Sequence, residues 1–247
     1  MSHLAIIGGT GLNNLAGAVV LSIDTPDTHY GAISGVIETL QIADKQFVFM
    51  PRHGRPHKVP PHKINYRANL AALQSAGIKR IIAVNAVGGI TPQASSGAIV
   101  IPHDVIDYTW GREHTYSDGF SDRLDHVDMS DPYTPSLREA IIAEARRLSL
   151  PVVTHGVYAA TQGPRLETAA EIAKYEKDGC DIVGMTGMPE AALARELGLE
   201  YACISLVVNP AAGKGDGEIT MEDIQKVLDN GMGKVRDLLA AVIGVLA

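Results

Sequence analysis

Residues 80–89 read RIIAVNAVGG, an apolar run that ends in an amide side chain and two glycines. The near-continuous apolar character of Arg80–Asn85 predicts a strand buried on both faces, as in the inner strands of a sheet covered by helices. Six further runs share this character: Leu4–Gly8, Phe47–Met50, Ile99–Pro102, Pro151–Thr161, Asp181–Met185 and Tyr201–Val208.

Helical periodicity separates these strands. The predicted helices are Tyr66–Ala76, Pro135–Leu148, Glu167–Lys177, Pro189–Leu197 and Met221 to about Leu239. Thr134 and Thr220 stand where N-cap residues are expected. Strands alternating with helices predict an α/β fold: a single domain over residues 1–247 with a central mixed β-sheet flanked by helices.

The composition excludes several classes of protein. In 247 residues, 46% are hydrophobic, 20% are charged and the net charge is −7. This argues against a nucleic-acid or membrane-surface partner, because phosphate backbones require a basic face. Cys180 and Cys203 have neither disulfide nor zinc spacing and are expected to be buried thiols. We find no signal peptide and no membrane-spanning run, and expect a cytoplasmic protein.

Polar, glycine-rich segments follow the predicted strands. They are GGTG (8–11), PRHGRPH (51–57), NAVGG (85–89), TQGPRLE (161–167), GMTGMPE (184–190) and VVNPAAGK (207–214). Ligands of open α/β sheets bind at the carboxyl ends of strands. We therefore expect these six segments to converge on one cleft.

Two of these segments have the chemistry of an anion site. Gly8, Gly9 and Gly11 let the backbone approach an anion, although a tight structural turn is the alternative. They do not match the dinucleotide fingerprint, which requires G-x-G-x-x-G and a later acidic residue. Arg52 and His53 belong to a compact cationic cluster whose guanidinium suits phosphate oxygens; a solvated basic loop is the alternative.

The remaining segments are ambiguous when each is read alone. Asn85–Gly89 suits close approach of a substrate or a simple turn. Glu167 suits ligand binding or the first turn of a helix, where a carboxylate is favoured by the macrodipole. Met185 suits ligand contact or the core, and Thr186 suits ligand contact or a cap. Asn209 before proline is typical of a turn.

Taken together and in this order, the segments resemble the trimeric purine nucleoside phosphorylases and methylthioadenosine phosphorylases. The resemblance runs from Ile6 to the C-terminal helix, and its GPRLET and GMTGMPE segments are specific. It implies a glycosyltransferase that uses inorganic phosphate as a co-substrate and needs no metal or organic cofactor. It also implies a homotrimer with sites near subunit interfaces, binding a small purine nucleoside.

The resemblance implies a role for each site residue. Phosphate would be held by Thr10, Arg52, His53 and Thr186, with the backbone of Asn85 and Ala86. The nucleoside would be held by Met185 at the ribose and by Leu166, Glu167, Asn209 and Ala211 around the base. His126 would reach the site of a neighbouring subunit.

Departures from the methylthioadenosine members point to another base. Asn209 and Ala211 replace two aspartates of those members, and Glu167 replaces a serine. A 6-oxopurine has an acceptor at O6 and a donor at N1, so Glu167 can accept from N1–H while Asn209 donates to O6 and N7. The reversed pattern of a 6-aminopurine would leave buried polar groups unpaired. Asn209 would also be catalytic, since it stabilises charge that develops on the leaving purine.

The other end of the nucleoside is expected to meet Met221. Members that act on 5'-hydroxyl nucleosides carry a histidine at this place, whereas a thioether suits an apolar 5'-methylthio group. The expected substrate is S-methyl-5'-thioinosine. The alternatives are inosine and guanosine, methylthioadenosine, or a non-catalytic nucleotide-binding or NAD-dependent α/β protein.

Overall fold

The computed structural model describes residues 3–12, 15, 17–117, 124 and 126–247. The strands are β1 Leu4–Gly8, β2 Val19–Asp24, β3 Asp27–Thr28, β4 Gly31–Ala32, β5 Ile37–Ile42, β6 Lys45–Pro51, β7 Arg80–Gly89, β8 Ile99–Val100, β9 Asp104–Asp107, β10 Val157–Ala160, β11 Ile182–Gly184 and β12 Glu200–Pro210. The helices are α1 Tyr66–Ser75, α2 Pro135–Arg147, α3 Ala169–Lys177, α4 Glu190–Glu196 and α5 Met221–Leu246, with a 3₁₀ turn at Pro61–Lys63.

Ten of these strands form one mixed sheet. Its order is β2-β5-β6-β1-β7-β11-β10-β9, and β12 pairs with both β7 and β8. The pairs of β1 with β6, of β1 with β7 and of β7 with β12 are parallel, whereas β11 runs antiparallel to β7. The predicted α/β fold with a central mixed sheet flanked by helices is therefore confirmed.

The central strand β7 is paired along its length on one edge, whereas two separate strands pair with its two ends on the other edge. On one edge, β12 pairs with β7 along Arg80–Gly89. On the other edge, β1 pairs with residues 80–83 and β11 with residues 88–89. Residues 84–87 thus lie between the end of β1 and the end of β11, so the segments that follow these two strands meet over this part of β7.

Alternation along the strands divides the core between the two faces of the sheet. Leu4 and Ile6 point to the face covered by α2 and α5, whereas Ala5 and Ile7 point to the face covered by α1 and α4. Successive strand residues point to opposite faces, so buried strands need apolar residues at every position. This accounts for the unbroken apolar run in β1.

Most predicted elements are present, and the differences have local causes. The strand predicted for Pro151–Thr161 is wrong in its first half, because only Val157–Ala160 is regular strand and Val153 makes an isolated bridge to Val100. Thr134 does not cap α2 through its side chain; its Oγ1 accepts from the Tyr201 N–H instead. Thr220 does cap α5 and accepts from the Asp223 N–H.

Three strands of the main sheet are not predicted by the sequence, namely β2, β5 and β9. These strands lie toward or at the two edges of the sheet and are partly or wholly exposed. They lack the continuous apolar run by which the inner strands were recognised. Within the described residues, no helix is both long enough and apolar enough to cross a membrane.

Candidate active site

A cavity of about 280 Å³ lies over residues 85–88 of β7. The segments that follow β1, β6, β10, β11 and β12 all contribute to its lining, as expected for the carboxyl ends of strands. The predicted site residues in this lining are Thr10, Arg52, His53, Asn85, Ala86, Leu166, Glu167, Met185, Thr186, Asn209, Ala211 and Met221. The predicted convergence of the six segments is thus present.

Arg52 is fully buried at the base of the cavity and is held by Glu190. Its Nε and Nη2 donate to the two carboxylate oxygens of Glu190 at 2.9 and 2.7 Å, and Nη1 donates to the Val84 carbonyl at 2.9 Å. Burial by itself would lower the pKa of Arg52, but the carboxylate of Glu190 outweighs it and raises the pKa above its ordinary value. A guanidinium has five N–H groups, so two remain for a ligand. The alternative of a solvated basic loop is therefore wrong for Arg52.

Gly9 makes room for this arrangement. A Cβ atom at Gly9 would lie 2.5 Å from the Val84 carbonyl oxygen and 2.9 Å from Arg52 Nη1. Any side chain there would displace either the central strand or the guanidinium. The glycine in this segment thus serves the close approach of the backbone to the cation, and Thr10 follows directly at the lining.

His53 enters the site as a neutral ring. Its Nδ1 lies 2.8 Å from the Val59 carbonyl, which can only accept, so Nδ1 carries the proton and Nε2 is an acceptor. Burial, together with the positive charge of Arg52, lowers the pKa of His53 to about 4. The ring stacks on His57 with centroids 4.1 Å apart. His53 therefore offers a hydrogen-bond acceptor at neutral pH instead of a second cation.

Asn85 acts on the cavity through Thr186. Its Nδ2 donates to Thr186 Oγ1 at 2.9 Å, while its Oδ1 accepts from Cys203 Sγ at 3.2 Å. Burial raises the pKa of Cys203 to about 12, so the thiol keeps its proton and fixes which way the amide points. Since Thr186 Oγ1 accepts from Asn85, its own O–H can donate into the cavity. Asn85 thus orders the hydroxyl that lines the site.

Glu167 does not belong to a helix. Helix α3 begins two residues later and is capped by Thr168 with Glu171, so the alternative of a first-turn carboxylate is wrong. Glu167 Oε1 accepts from the Thr161 hydroxyl at 2.7 Å. Its Oε2 accepts no hydrogen bond from the described residues. The carboxylate is therefore fixed at one oxygen and available at the other.

Fewer tertiary contacts hold several other residues of the lining. Asn209 Nδ2 donates to the carbonyl of the adjacent Pro210 at 2.6 Å, a purely local bond. Leu166 and Met221 are 44% and 72% exposed. We call Leu166, Glu167, Asn209 and Met221 the outer wall. Arg52, Asn85 and Thr186, with the Glu190 and Tyr201 that support them, form the inner wall.

Two ambiguous segments are resolved by position. Thr186 is not a cap, because the N-cap of α4 is Pro189 and Thr186 instead lines the cavity. Met185 also lines the cavity, and a Cβ at Gly163 would collide with its sulfur. Met185 is thus held at the lining by the backbone of the neighbouring 161–167 loop.

His126 is exposed and does not line the cavity of the chain that carries it. Its expected place in the site of a neighbouring subunit stays a prediction. The two cysteines are buried and free, as expected. Among the described residues, no group of three or more His, Cys, Asp or Glu side chains is arranged to hold a metal ion.

The residues that hold the inner wall are not among those predicted from the sequence. Glu190 lies in the quoted GMTGMPE segment but was given no role, and it also accepts from the Tyr201 hydroxyl at 2.7 Å. The sequence could have predicted that Arg52 has a carboxylate partner, since an arginine at a buried strand end needs one, but not which residue it is. Arg112, which donates hydrogen bonds to the 161–167 and 184–189 loops, lies in none of the quoted segments.

Fold and cavity together define a class of protein. The chain belongs to the phosphorylase superfamily, whose family model matches residues 3–244. It is an enzyme of the purine nucleoside phosphorylase type, a pentosyltransferase. The family predicted from the sequence is confirmed.

Individual relatives differ in the substrate that they are named for. A protein of Pseudomonas syringae pv. tomato named "Probable S-methyl-5'-thioinosine phosphorylase" is 53% identical over 98% of this chain and 99% of its own length. A 6-oxopurine nucleoside phosphorylase of Pyrococcus furiosus is 40% identical over 100% of this chain and 94% of its own. Among solved structures, methylthioadenosine phosphorylase from Schistosoma mansoni in complex with adenine superposes with a TM-score of 0.93 at 28% identity, covering 99% of this chain and 92% of that one.

Proposed function

We propose that the protein cleaves S-methyl-5'-thioinosine with inorganic phosphate, giving hypoxanthine and 5-methylthioribose 1-phosphate, as an enzyme of purine salvage. The observation that carries this proposal is that Glu167 and Asn209 line the same cavity as the buried Arg52 and Thr186. Relatives named for methylthioinosine, at about half identity over nearly the whole chain, support it.

The inner wall would bind and aim the phosphate. Arg52 has two N–H groups left for phosphate oxygens, and Thr186 can donate its hydroxyl proton. The acceptor Nε2 of His53 would receive the P–O–H proton or a ribose hydroxyl. Thr10 and the backbone at Asn85 and Ala86 would add further contacts. No group of the enzyme needs to form a covalent intermediate.

The outer wall would bind the nucleoside and stabilise the leaving base. A phosphate oxygen forms a bond to C1' as the bond from C1' to N9 breaks, and the electron pair of that bond passes to the purine. The purine anion takes up a proton and leaves as hypoxanthine, and the phosphate loses one P–O–H proton, so that charge and protons balance. Glu167 Oε2 would accept from N1–H, and Asn209 would donate to N7 and O6 as charge builds up there. Leu166 and Ala211 would enclose the base, Met185 would pack on the ribose, and Met221 would face the 5'-methylthio group.

The remaining features of the proposal concern the state of the protein. We propose that residues 1–247 act as one nucleoside phosphorylase domain, that phosphate is the only co-substrate and that no cofactor takes part. We further propose a cytoplasmic homotrimer in which the exposed His126 reaches the cavity of a neighbouring subunit. Sedimentation analysis would test the trimer, and a monomer that is fully active would contradict it.

One assay decides between the substrates. We expect release of hypoxanthine from methylthioinosine that depends strictly on phosphate. Inosine, guanosine and methylthioadenosine should each give a lower kcat/KM. A clear preference for inosine or guanosine would replace the proposal with a purine nucleoside phosphorylase, which the relative from Pyrococcus furiosus keeps open. The non-catalytic nucleotide-binding alternative is wrong, because the chain belongs to a family of phosphorylases.

The Asn209→Asp variant tests the base-reading pair. A carboxylate at this position can accept from the amino group of a 6-aminopurine and repels the O6 acceptor of a 6-oxopurine. We expect the ratio of kcat/KM for methylthioadenosine to that for methylthioinosine to rise by about 10²-fold or more, the scale on which buried polar mismatches discriminate. An unchanged ratio would contradict the role given to Asn209.

A further inference from the structure

Arg112 is a buried cation that lies behind the site and takes no part in the steps above. It is 8% exposed, in the loop that follows β9. Nη1 donates to the carbonyls of Met185 and Met188 at 2.9 and 2.6 Å. Nη2 donates to the carbonyls of Thr161 and Gln162 at 3.0 and 2.8 Å, and Nε donates to Gln162 Oε1 at 3.1 Å. All five N–H groups of the guanidinium are therefore engaged.

These acceptors belong to two loops that both contribute to the lining of the cavity. The 161–167 loop follows β10 and carries Leu166 and Glu167, whereas the 184–189 loop follows β11 and carries Met185 and Thr186. The two strands pair in parallel up to Ala160 and Gly184. The last bond between their backbones is that from the Thr161 N–H to the Gly184 carbonyl at 2.8 Å. Beyond this bond, the hydrogen bonds of Arg112 connect the two loops.

The arrangement requires a guanidinium. Four carbonyl oxygens from two loops point toward one buried position, where they would repel one another and lack hydrogen bonds without a cation. A planar group with five donors can satisfy them together. The compact ammonium of lysine has three donors and cannot reach both loops in the same geometry.

We propose that Arg112 is a positioning residue for the nucleoside: it sets the spacing between the loop that carries Glu167 and the loop that carries Met185. The proposal rests on the nucleoside-binding role proposed above for those two residues. The inner wall has its own supports, since Glu190 holds Arg52 and Asn85 holds Thr186. Loss of the guanidinium should therefore weaken nucleoside binding and spare phosphate binding.

The test compares Arg112→Lys with Arg138→Lys. Arg138 is a matched control, because its guanidinium donates to the carbonyls of Ile101, Pro102 and Thr154, away from the cavity. In Arg112→Lys we expect the KM for the nucleoside to rise about tenfold or more, as for a lost charge-assisted hydrogen bond, with the KM for phosphate changed by less than about twofold. Amide hydrogen exchange should accelerate in residues 161–167 and 184–189. Arg138→Lys should change neither KM.

Each outcome decides the matter. Equal changes in the two KM values, unchanged exchange in both loops, or the same effects in Arg138→Lys would overturn the proposal. If Arg112→Lys does not fold, Gln162→Leu is the second variant: it removes the acceptor shared by Arg112 Nε and the Trp110 N–H and leaves the four carbonyl acceptors in place. It must raise the nucleoside KM by about two- to threefold; no rise would also overturn the proposal. Failure of the wild-type enzyme to cleave nucleosides would count against the proposed function, whereas the exchange measurement reads the role of Arg112 without substrate.

Discussion

The two walls of the cavity are built in different ways. In the inner wall, Arg52 is buried and linked to Glu190, and Asn85 ties Thr186 to Cys203. In the outer wall, the side chain of Asn209 bonds only its neighbour Pro210 among the described residues, and Met221 is 72% exposed. The inner wall is thus preorganised by buried contacts within the chain, whereas Asn209 and Met221 of the outer wall are held by few contacts. This difference fits the proposed reaction, because the phosphate is the same for every substrate. The base and the 5'-group, by contrast, must be distinguished from those of other nucleosides.

Glu190→Gln would test how strongly the inner wall is locked, and we expect the largest effect there. The change leaves the buried Arg52 without a counter-charge, so the free energy of unfolding should fall by about 3–5 kcal/mol. Denaturant unfolding measures it. Glu38→Gln, which breaks the partly exposed pair with Arg55, is the control and should cost about 1 kcal/mol or less. Equal losses in the two variants would mean that the inner wall is not specially locked.

Asn85→Leu would test whether the inner wall orders Thr186. The variant keeps much of the side-chain volume but removes the donor to Thr186 Oγ1. We expect the KM for phosphate to rise about three- to tenfold, the value of one hydrogen bond, with little change in the nucleoside KM. Asn69→Leu, at another buried asparagine that does not line the cavity, should leave both constants alone. A rise in the nucleoside KM alone would show that Asn85 belongs to the other wall.

Met221→His would test the outer wall. An imidazole can donate to a 5'-hydroxyl, so kcat/KM for inosine relative to methylthioinosine should rise by about two- to fivefold. The effect is small because the side chain is largely exposed in one chain, where water competes for the same bond. A change of several hundredfold would instead indicate that this position is enclosed during catalysis.

His53 has the smallest expected effect at neutral pH, where its role is visible only through the pH dependence of stability. Its pKa is lowered to about 4 by burial and by Arg52, from 6.5 in the unfolded chain. The unfolded state therefore binds up to about one more proton between these values, so stability is complete above pH 6.5 and decreases as the pH falls toward 4. His53→Asn should flatten this acid limb without changing the slope above pH 7. An acid limb as steep as that of the wild type would assign the proton to another group.

The sequence predicted the segments of the site better than their supports. GGTG, PRHGRPH, TQGPRLE, GMTGMPE and VVNP could be recognised because each follows an apolar strand. The edge strands β2 and β9 were missed, since exposed strands carry no continuous apolar run. Glu190 and Arg112 were missed because their partners lie far away in sequence: Glu190 is 138 residues from Arg52, and Arg112 is 73 from Met185.

What the sequence determined by itself is therefore the set of chemical groups and their order along the chain. Local patterns decide strands and helices, and the side chains of Glu167 and Asn209 supply the acceptor and donor on which the proposed recognition of the base rests. Only the tertiary structure decided which residues support the site. Glu190 neutralises Arg52, Asn85 orients Thr186, and Arg112 connects the two loops. These contacts join distant parts of the chain, and their strength comes from a buried environment that exists only after the sheet has formed.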